Sequence, residues 1–499
     1  MMASFGEFNA SVVPRPAGDA GRGLFATSTI KMGKDVFSMP ATFSTVLSTE
    51  RLKDACSNCF ANLPFGVNIM ANVDMKLWAC SGCKVVKYCD RKCQSANWKL
   101  IHKHECAIYK KLYPKILPVN SRAVLRIVKL RNSNEDHVKS DLIMFLSLRS
   151  HLDEITKSNQ EQYERIMLSA KAEKEYSGSE LDVETIAEYL ARIEVNSFTF
   201  TTAFGDPLGL CIQPFACYMN HSCEPNAVVG FDGGLITVKA LREIKSDEQV
   251  FISYIDNTYP FEVRQKQLAE RYFFTCKCSK CAQGTTARED QFIPSNPSPE
   301  EVETLKEAEK QARELLTAAR SSKAESAVKQ LKSAMKVLHD TKLWPITRQP
   351  YPEIRSELMV SLLEIKDFWS AFRHGLVRYL FVDPVLYPHE WHPTRTNHEF
   401  VFSQLVMTIT REQSSKIPNG SKYKFDPVSA IYPILTKLNK YQKYETPGVA
   451  RSIKVEYDAL MAPVKKLGYN PSTPSVSEAM SSAWKVLNNI AEETLETDG

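Results

Sequence analysis

Cysteine and histidine fall in this sequence as pairs at the short spacings that metal ligands use. Cys56 and Cys59, Cys80 and Cys83, Cys89 and Cys93, and His102 and Cys106 are each separated by two or three residues. Zinc takes four soft ligands in a tetrahedron, and a pair on one short loop supplies two of them. Eight such residues therefore predict two zinc sites. His104 is a rival to His102 as a ligand. A later triplet, Cys276, Cys278 and Cys281, is one ligand short of a tetrahedron. Of the thirteen cysteines only Cys211, Cys217 and Cys223 lie outside these clusters, whereas buried structural thiols would scatter.

The second stretch with chemistry in it is Asn220-His221-Ser222-Cys223-Glu224-Pro225-Asn226. Amide, imidazole and thiol in one tight run are costly to bury without partners. The run also fits a strand that ends in an Asn-rich turn. Gly21-Arg22-Gly23 near the N-terminus allows close backbone approach to a ligand, and equally fits a hairpin turn. His389, His392 and His398 lie in a Pro-flanked loop with Trp391, where surface histidines are the ordinary reading and a metal the alternative.

The elements that must position these residues alternate in type. Val36 to Met39 and Thr45 to Leu47 fit short strands around Pro40. Residues 107–195 read as helical, with apolar residues at three-to-four spacing in 121–130 and 142–148 and at Val183, Ile186, Tyr189 and Leu190. Ile193 to Phe200, with Val195, Ser197 and Thr199 alternating with Asn196, Phe198 and Phe200, reads as a strand, or as a strand entered from a helix end. Ala227 to Phe231 and Leu235 to Val238 flank Asp232-Gly233-Gly234 as a hairpin. Val250 to Ile255 is the next strand. Residues 283–298 read as a polar linker. Ser298-Pro299-Glu300-Glu301 then carries a helix N-cap, Pro at the first helical position and Glu at the third. Helical stripes follow it, and consecutive pairs suggest a degenerate array of helical repeats.

The run at 220–226 resembles the NHSCxPN signature of SET-domain methyltransferases. Gly21-Arg22-Gly23, Phe251-Ile252-Ser253-Tyr254 and the Cys-x-Cys-x-x-Cys at 276–281 stand where that family carries its other motifs. The paired ligands, with Tyr88-Cys89, Cys93-Gln94 and Trp98, are similar to a MYND finger. The chain is identified as a member of the SET and MYND domain (SMYD-type) protein lysine methyltransferases. The motifs cover roughly residues 15–285.

The resemblance implies an α+β fold, with a split, β-rich SET domain interrupted by the finger and by a helical insertion. A post-SET zinc site and an all-α, TPR-like C-terminal domain complete it. The boundaries would be 1–50 and 191–260 for SET, 51–110 for the finger, 111–190 for the insertion, 261–285 for the post-SET region and 286–499 for the helices. The finger family interleaves its pairs, so Cys56, Cys59, Cys89 and Cys93 would hold one zinc, and Cys80, Cys83, His102 and Cys106 the other. Cys223 would complete a third with Cys276, Cys278 and Cys281. The gap between Cys59 and Cys80 exceeds the family's, which predicts an extra loop from Leu63 to Lys76.

By the same resemblance S-adenosylmethionine (AdoMet) would lie against Arg22, Gly23, Asn196, Tyr218, Met219, Asn220 and His221, with Tyr272 and Phe274 as aromatic walls. Tyr254 would be the catalytic residue, although a tyrosine in a strand is by itself ordinary core. Glu248 fits the family's acidic position, while Ala20, Asp247 and Gln249 depart from its pattern. The rival reading is a catalytically silent adaptor that recruits protein partners.

Composition bounds the rest. At 499 residues and 43% hydrophobic the chain can bury sizeable cores, about three domains' worth by length. A net charge of +5 over this length does not argue for nucleic acid. The finger itself is basic, with Lys84, Lys87, Arg91, Lys92, Lys99 and Lys103, which fits a solvated face or contact with nucleic acid or an acidic partner. Residues 1–15 lack a basic region followed by an apolar run, and no apolar run approaches a membrane span. These features predict an intracellular monomer, in nucleus and/or cytoplasm, with reduced cysteines. Its partners would be a protein substrate, histone or not, and a Pro-rich peptide at the finger.

Overall fold

The computed structural model describes residues 11–66, 69, 74–293, 297–411, 423–466, 470 and 472–498. The chain divides into two compact units. One comprises Met1–Pro64, Asn72–Ile255 and Lys266–Cys276; the other comprises Phe65–Ala71, Asp256–Gln265 and Lys277–Gly499.

All twelve described strands belong to the first unit, and none exceeds six residues. They are β1 (Val12–Pro16), β2 (Arg22–Ala26), β3 (Asp35–Pro40), β4 (Ser44–Leu47), β5 (Trp78–Ala79), β6 (Lys87–Tyr88), β7 (Phe198–Thr201), β8 (Pro207–Ile212), β9 (Asn220–His221), β10 (Ala227–Asp232), β11 (Leu235–Ala240) and β12 (Phe251–Ile252). They form small sheets: β1-β2, β10-β11-β3, β4-β8-β7, β12-β9 and the finger's β5-β6. The expected hairpin is β10–β11, antiparallel from Ala227 opposite Ala240 to Asp232 opposite Leu235. Gly233 at its turn has φ +56°, a left-handed conformation that favours glycine.

The strand expected over 250–255 is shorter. Only Phe251 and Ile252 pair, and the chain turns where Ser253 Oγ donates to the Ile255 carbonyl. The segment at 196 is a strand entered from a helix end: Asn196 closes a helix and pairing begins at Phe198.

The first unit's helices are α1 (Arg91–Asn97), α2 (Lys103–Leu112), α3 (Val119–Leu130), α4 (Asp136–Leu146), α5 (Leu152–Ser158), α6 (Gln160–Ser177) and α7 (Val183–Asn196). Ala123, Val124, Leu125, Ile127 and Val128 of α3 are buried, and Ser44 Oγ of β4 donates to the Ala123 carbonyl. α3 thereby docks against the sheet that leads through β8 toward residue 220. Asp182 caps α7, its carboxylate accepting the Thr185 N–H at 2.6 Å. The loop expected from Leu63 to Lys76 falls in good part outside the described residues.

α8 (Phe261–Tyr272) and α9 (Ser279–Ala282) lead into the long helices of the second unit. These are α10 (Pro299–Arg320), α11 (Ala324–Asp340), α12 (Tyr351–Glu364), α13 (Phe368–Val377), α14 (Asp383–Leu386), α15 (Pro393–Arg411), α16 (Pro427–Tyr441), α17 (Pro447–Lys466) and α18 (Pro474–Glu496). α10 begins with the expected capping box, in which Ser298 and Glu301 each bond the other's backbone N–H. Consecutive helices pack in pairs, α10 on α11, α11 on α12 and α12 on α13, and α18 returns to pack on α13 and α16.

The linker expected over 283–298 is structured up to residue 293. Glu289 is buried between Lys280 and Arg288, and Phe292 packs edge-on against Trp344. Pro294 lies outside the described residues. His398 pairs with Asp383 at 3.2 Å, and His392 stacks on Tyr387 at 4.8 Å. These histidines are packing elements, and they belong to no metal-type group among the described residues.

Candidate active site and metal centres

β9 and β12 run parallel, with Asn220 opposite Phe251 and His221 opposite Ile252. Asn220, His221 and Asn226 of the run each have a side-chain partner that explains their type. Asn220 Nδ2 donates to the Arg22 carbonyl at 3.0 Å and to Gln249 Oε1 at 2.8 Å. His221 Nδ1 accepts the Tyr254 N–H at 3.0 Å, and its Nε2 lies 3.2 Å from Cys223 Sγ. The Ser222 N–H donates to the Ile252 carbonyl at 2.9 Å. Asn226, wholly buried, accepts the Phe251 N–H at 2.8 Å and donates to the Gln249 carbonyl at 2.9 Å. The run is a buried splint that side chain to backbone bonds fasten to residues 249–254, where two-residue strands alone would not hold.

That splint places Tyr254. Its hydroxyl donates to the Met219 carbonyl at 2.6 Å, and its ring lies 4.9 Å from Tyr272 and 5.3 Å from His221. Tyr272 in turn donates to the Tyr254 carbonyl at 3.2 Å. Burial above all, with Cys217 and Tyr272 adding to it, pushes the Tyr254 hydroxyl well above its ordinary range. It therefore remains a hydrogen-bond donor at every physiological pH. Phe274 reaches His221 at 5.9 Å, and Phe273 between them stacks on His151 at 5.0 Å. Phe273 has φ +61° and His151 has φ +52°. Such a left-handed reversal sends three consecutive aromatics to three different partners.

Arg22 and Gly23 meet the same site from β2. A Cβ at Gly23 would come within 2.6 Å of Gln249 Oε1 and 3.0 Å of Asn220 Nδ2, so any side chain there would push apart the Gln249–Asn220 hydrogen bond. Gln249, a departure from the family's acidic pattern, is the acceptor for Asn220. Glu248 has a structural task, accepting from Arg242 at 2.7 Å and from the Lys245 N–H at 2.9 Å. Asn196 Nδ2 donates to the Arg149 carbonyl at 3.0 Å, and the Asn196 carbonyl accepts from Cys217 Sγ at 3.2 Å.

The structure thus gathers Arg22, Gly23, Asn196, Tyr218, Met219, Asn220, His221, Tyr254, Tyr272 and Phe274 in one unit. It adds four residues that sequence reasoning passed over: Ser147, Arg149 and His151 of the α4–α5 turn, and Cys217. Cys217 sits beside the signature run and could have been suspected. The other three lie in a turn whose spacing carries no signal.

Three groups of ligand atoms each fall within 4.8 Å: Cys56, Cys59, Cys89 and Cys93; Cys80, Cys83, His102 and Cys106; and Cys223, Cys276, Cys278 and Cys281. A zinc tetrahedron with Zn–S near 2.3 Å has an S···S edge of about 3.8 Å. Cys59–Cys89 at 3.6 Å, Cys89–Cys93 at 3.4 Å and Cys80–Cys106 at 3.8 Å match it. The groups follow the interleaved order of the finger pairs, and His102, not His104, falls in the second group. A Cβ at Gly82 would come within 2.9 Å of Cys106 Sγ, which explains glycine between Cys80 and Cys83.

His102 directs Nε2 toward Cys80 and Cys83, while its Nδ1 lies 3.5 Å from the buried Glu105. Burial alone would raise the Glu105 carboxyl, but Arg126 and His102 outweigh it and hold it at about 2. Arg126 continues from Glu105 at 2.8 Å to the Thr45 carbonyl of β4. Such a carboxylate behind a ligating imidazole fixes its orientation.

Comparison with known proteins places the chain in a family. The SET domain family model matches residues 21–255. The fission-yeast SET domain and MYND-type zinc finger protein 6 is 32% identical over 270 residues, 54% of this chain and 51% of that one. The chicken N-lysine methyltransferase SMYD2 is 31% identical over 323 residues, 62% of this chain and 70% of its own. Human SMYD2 is 30% identical over 308 residues, 61% and 67%. The chain belongs to the SET-domain family that carries a MYND-type zinc finger. Among solved structures, the SET domain of LSMT bound to lysine and AdoHcy is 13% identical, covers 94% of each chain and has a TM-score of 0.31, too loose a likeness to argue from.

Proposed function

We propose that this chain is an AdoMet-dependent protein-lysine N-methyltransferase that acts on histone or non-histone proteins. The observation that carries the reading is Tyr254, whose hydroxyl is held on the Met219 carbonyl beneath Tyr272 and beside the Asn220–His221 pair. AdoMet supplies an electrophilic methyl on a sulfonium. The protein must supply a neutral amine, correctly aimed. A lysine in water has a pKa near 10.4, and an aromatic slot lowers it by desolvating the ammonium form. Tyr254 and Tyr272 provide that slot. The Tyr254 hydroxyl fixes the Met219 carbonyl as an acceptor toward the incoming amine. Holding the reactants in line lowers the barrier by several kcal/mol.

Arg22, Gly23, Asn196, Tyr218, Met219, Asn220 and His221 are our assignment for the cofactor's surroundings, with Tyr272 and Phe274 as its walls. Both ring nitrogens of His221 have partners inside the protein, which favours a positioning role for it. The three cysteine groups would hold zinc as structural ions, each a closed set of four without a free position for chemistry. We retain the domain boundaries read from the sequence. On the finger, Trp78 and Trp98 are 58% and 45% exposed, which suits a Pro-rich peptide better than nucleic acid. Among the described residues no helix is long and apolar enough to cross a membrane. A monomer in nucleus or cytoplasm completes the reading.

The test is transfer of label from AdoMet to histones and cell-extract proteins, comparing wild type with Tyr254→Phe, each checked for bound zinc. We expect labelled bands with wild type and a fall of about 10²-fold in the variant, the scale for losing one preorganised donor. Neither label nor AdoMet binding with wild type would replace this reading by the adaptor.

A further inference from the structure

We infer that the helical insertion presets the cofactor loop through a one-way chain of hydrogen bonds, Arg22 to Tyr218 to Ser147 to Met144. The inference deepens the proposed function and rests on it for the identity of the cofactor. The Arg22 guanidinium lies 5.7 Å from the centre of the Tyr218 ring, and its Nη1 is 3.2 Å from the Tyr218 hydroxyl. That hydroxyl is 2.7 Å from Ser147 Oγ, and Ser147 Oγ donates to the Met144 carbonyl at 2.7 Å.

The direction follows from chemistry. A guanidinium has only donors. Tyr218 therefore accepts from Arg22 and uses its own O–H on Ser147. Ser147, accepting there, uses its O–H on the Met144 carbonyl. Met144 sits in the last turn of α4, where the helix dipole is negative, and its carbonyl also accepts the Ser147 N–H at 3.1 Å. A chain of donors that starts at a cation and ends at such a carbonyl is polarised the same way throughout.

The neighbouring contacts point the same way. Arg149, two residues on, reaches the Asp19 carbonyl at 3.5 Å, and its own carbonyl holds Asn196. Asn220 holds the Arg22 carbonyl from the other side. Arg22 is exposed while Tyr218 is buried, so an otherwise mobile arginine is held by a fixed group. Tyr218 and Ser147 are thus positioning residues that act through Arg22.

The experiment measures AdoMet affinity by calorimetry and backbone hydrogen exchange at residues 20–24 in the cofactor-free protein. It compares wild type, Tyr218→Phe, Ser147→Ala, Arg22→Ala and the double variant Arg22→Ala/Tyr218→Phe. Losing one such bond is expected to weaken AdoMet binding about three- to tenfold in each hydroxyl variant. Exchange at 20–24 rises and KM for AdoMet rises alike, and in Ser147→Ala, which lies outside the assigned cofactor surroundings, kcat at saturating AdoMet stays within about twofold of wild type. In the Arg22→Ala background Tyr218→Phe adds nothing, as expected for residues in one chain. Unchanged exchange in Tyr218→Phe, or a full additive loss in the double variant, overturns the inference. If wild type does not bind AdoMet, the cofactor assignment falls, and the exchange measurement still decides whether the chain of bonds holds the loop.

Discussion

The two units of this protein stay folded by different means. The first is built from strands of at most six residues in sheets of two or three. Such strands bury too little to hold by themselves. Their place is taken by side chain to backbone bonds, as at Asn226 and His221, and by groups of four soft ligands. The second unit is built from helices of up to 23 residues. Its α10 buries Leu305, Ala308, Ala312, Leu316 and Ala319, and α11 buries Leu331, Ala334, Met335 and Leu338. Its buried polar groups include ion pairs, among them Arg355–Asp498 and Arg378–Asp383. One unit is fastened at points, the other along continuous apolar seams. A site that must gather residues from several distant segments suits the first kind of construction.

The largest effect that would test this contrast is removal of metal. Structural zinc contributes on the order of 10 kcal/mol to folding a finger. Chelation should abolish hydrogen-exchange protection over 78–112 and weaken it at β4, through the Glu105–Arg126–Thr45 connection. Protection in α12, α13 and α16 should persist. Equal loss in those helices would break the comparison.

Next in size is the buried pair of the helical unit. Arg355 and Asp498 are fully buried, with Tyr351 3.2 Å from the same carboxylate. Arg355→Met strands Asp498 without its cation and should cost about 3–5 kcal/mol in a urea melt. Adding Asp498→Leu should restore most of that, because an apolar pair of similar volume replaces a buried ion pair at little cost. If the double variant is no better than the single, the seam depends on the ion pair itself.

A smaller effect belongs to Glu173 of α6, in the first unit. It is buried with neither carboxylate oxygen hydrogen-bonded, and burial pushes its carboxyl up to about 8. The folded form therefore binds a proton that the unfolded form loses near pH 4.5. Stability falls as pH rises from about 4.5 to about 8, by up to a few kcal/mol. Glu173→Met should flatten that slope and stabilise the protein at pH 8, read as Tm against pH. A variant with the wild-type slope would assign the pH dependence elsewhere.

Legibility in the sequence followed the same division. Ligand pairs and the 220–226 run were readable because metal chemistry and a dense polar turn demand particular residues at fixed spacing. Helices 299–340 were readable because an apolar stripe repeats at the helical period. Strand lengths were not. Phe251 and Ile252 alone pair, since their register depends on β9, some 30 residues away in the chain. The linker expected after residue 283 also failed as a linker, because Lys280, Arg288 and Trp344 bury what its polar composition would leave exposed.

The sequence by itself determined which residues could bind zinc and where helical seams run, because each depends on local residue type and period, while the expected cofactor surroundings came from the family resemblance. Only the tertiary structure brought Ser147 to the Tyr218 hydroxyl, the Arg149 carbonyl to Asn196 and the His151 ring to Phe273. Those outcomes depend on where distant segments cross, and spacing along the chain does not encode it.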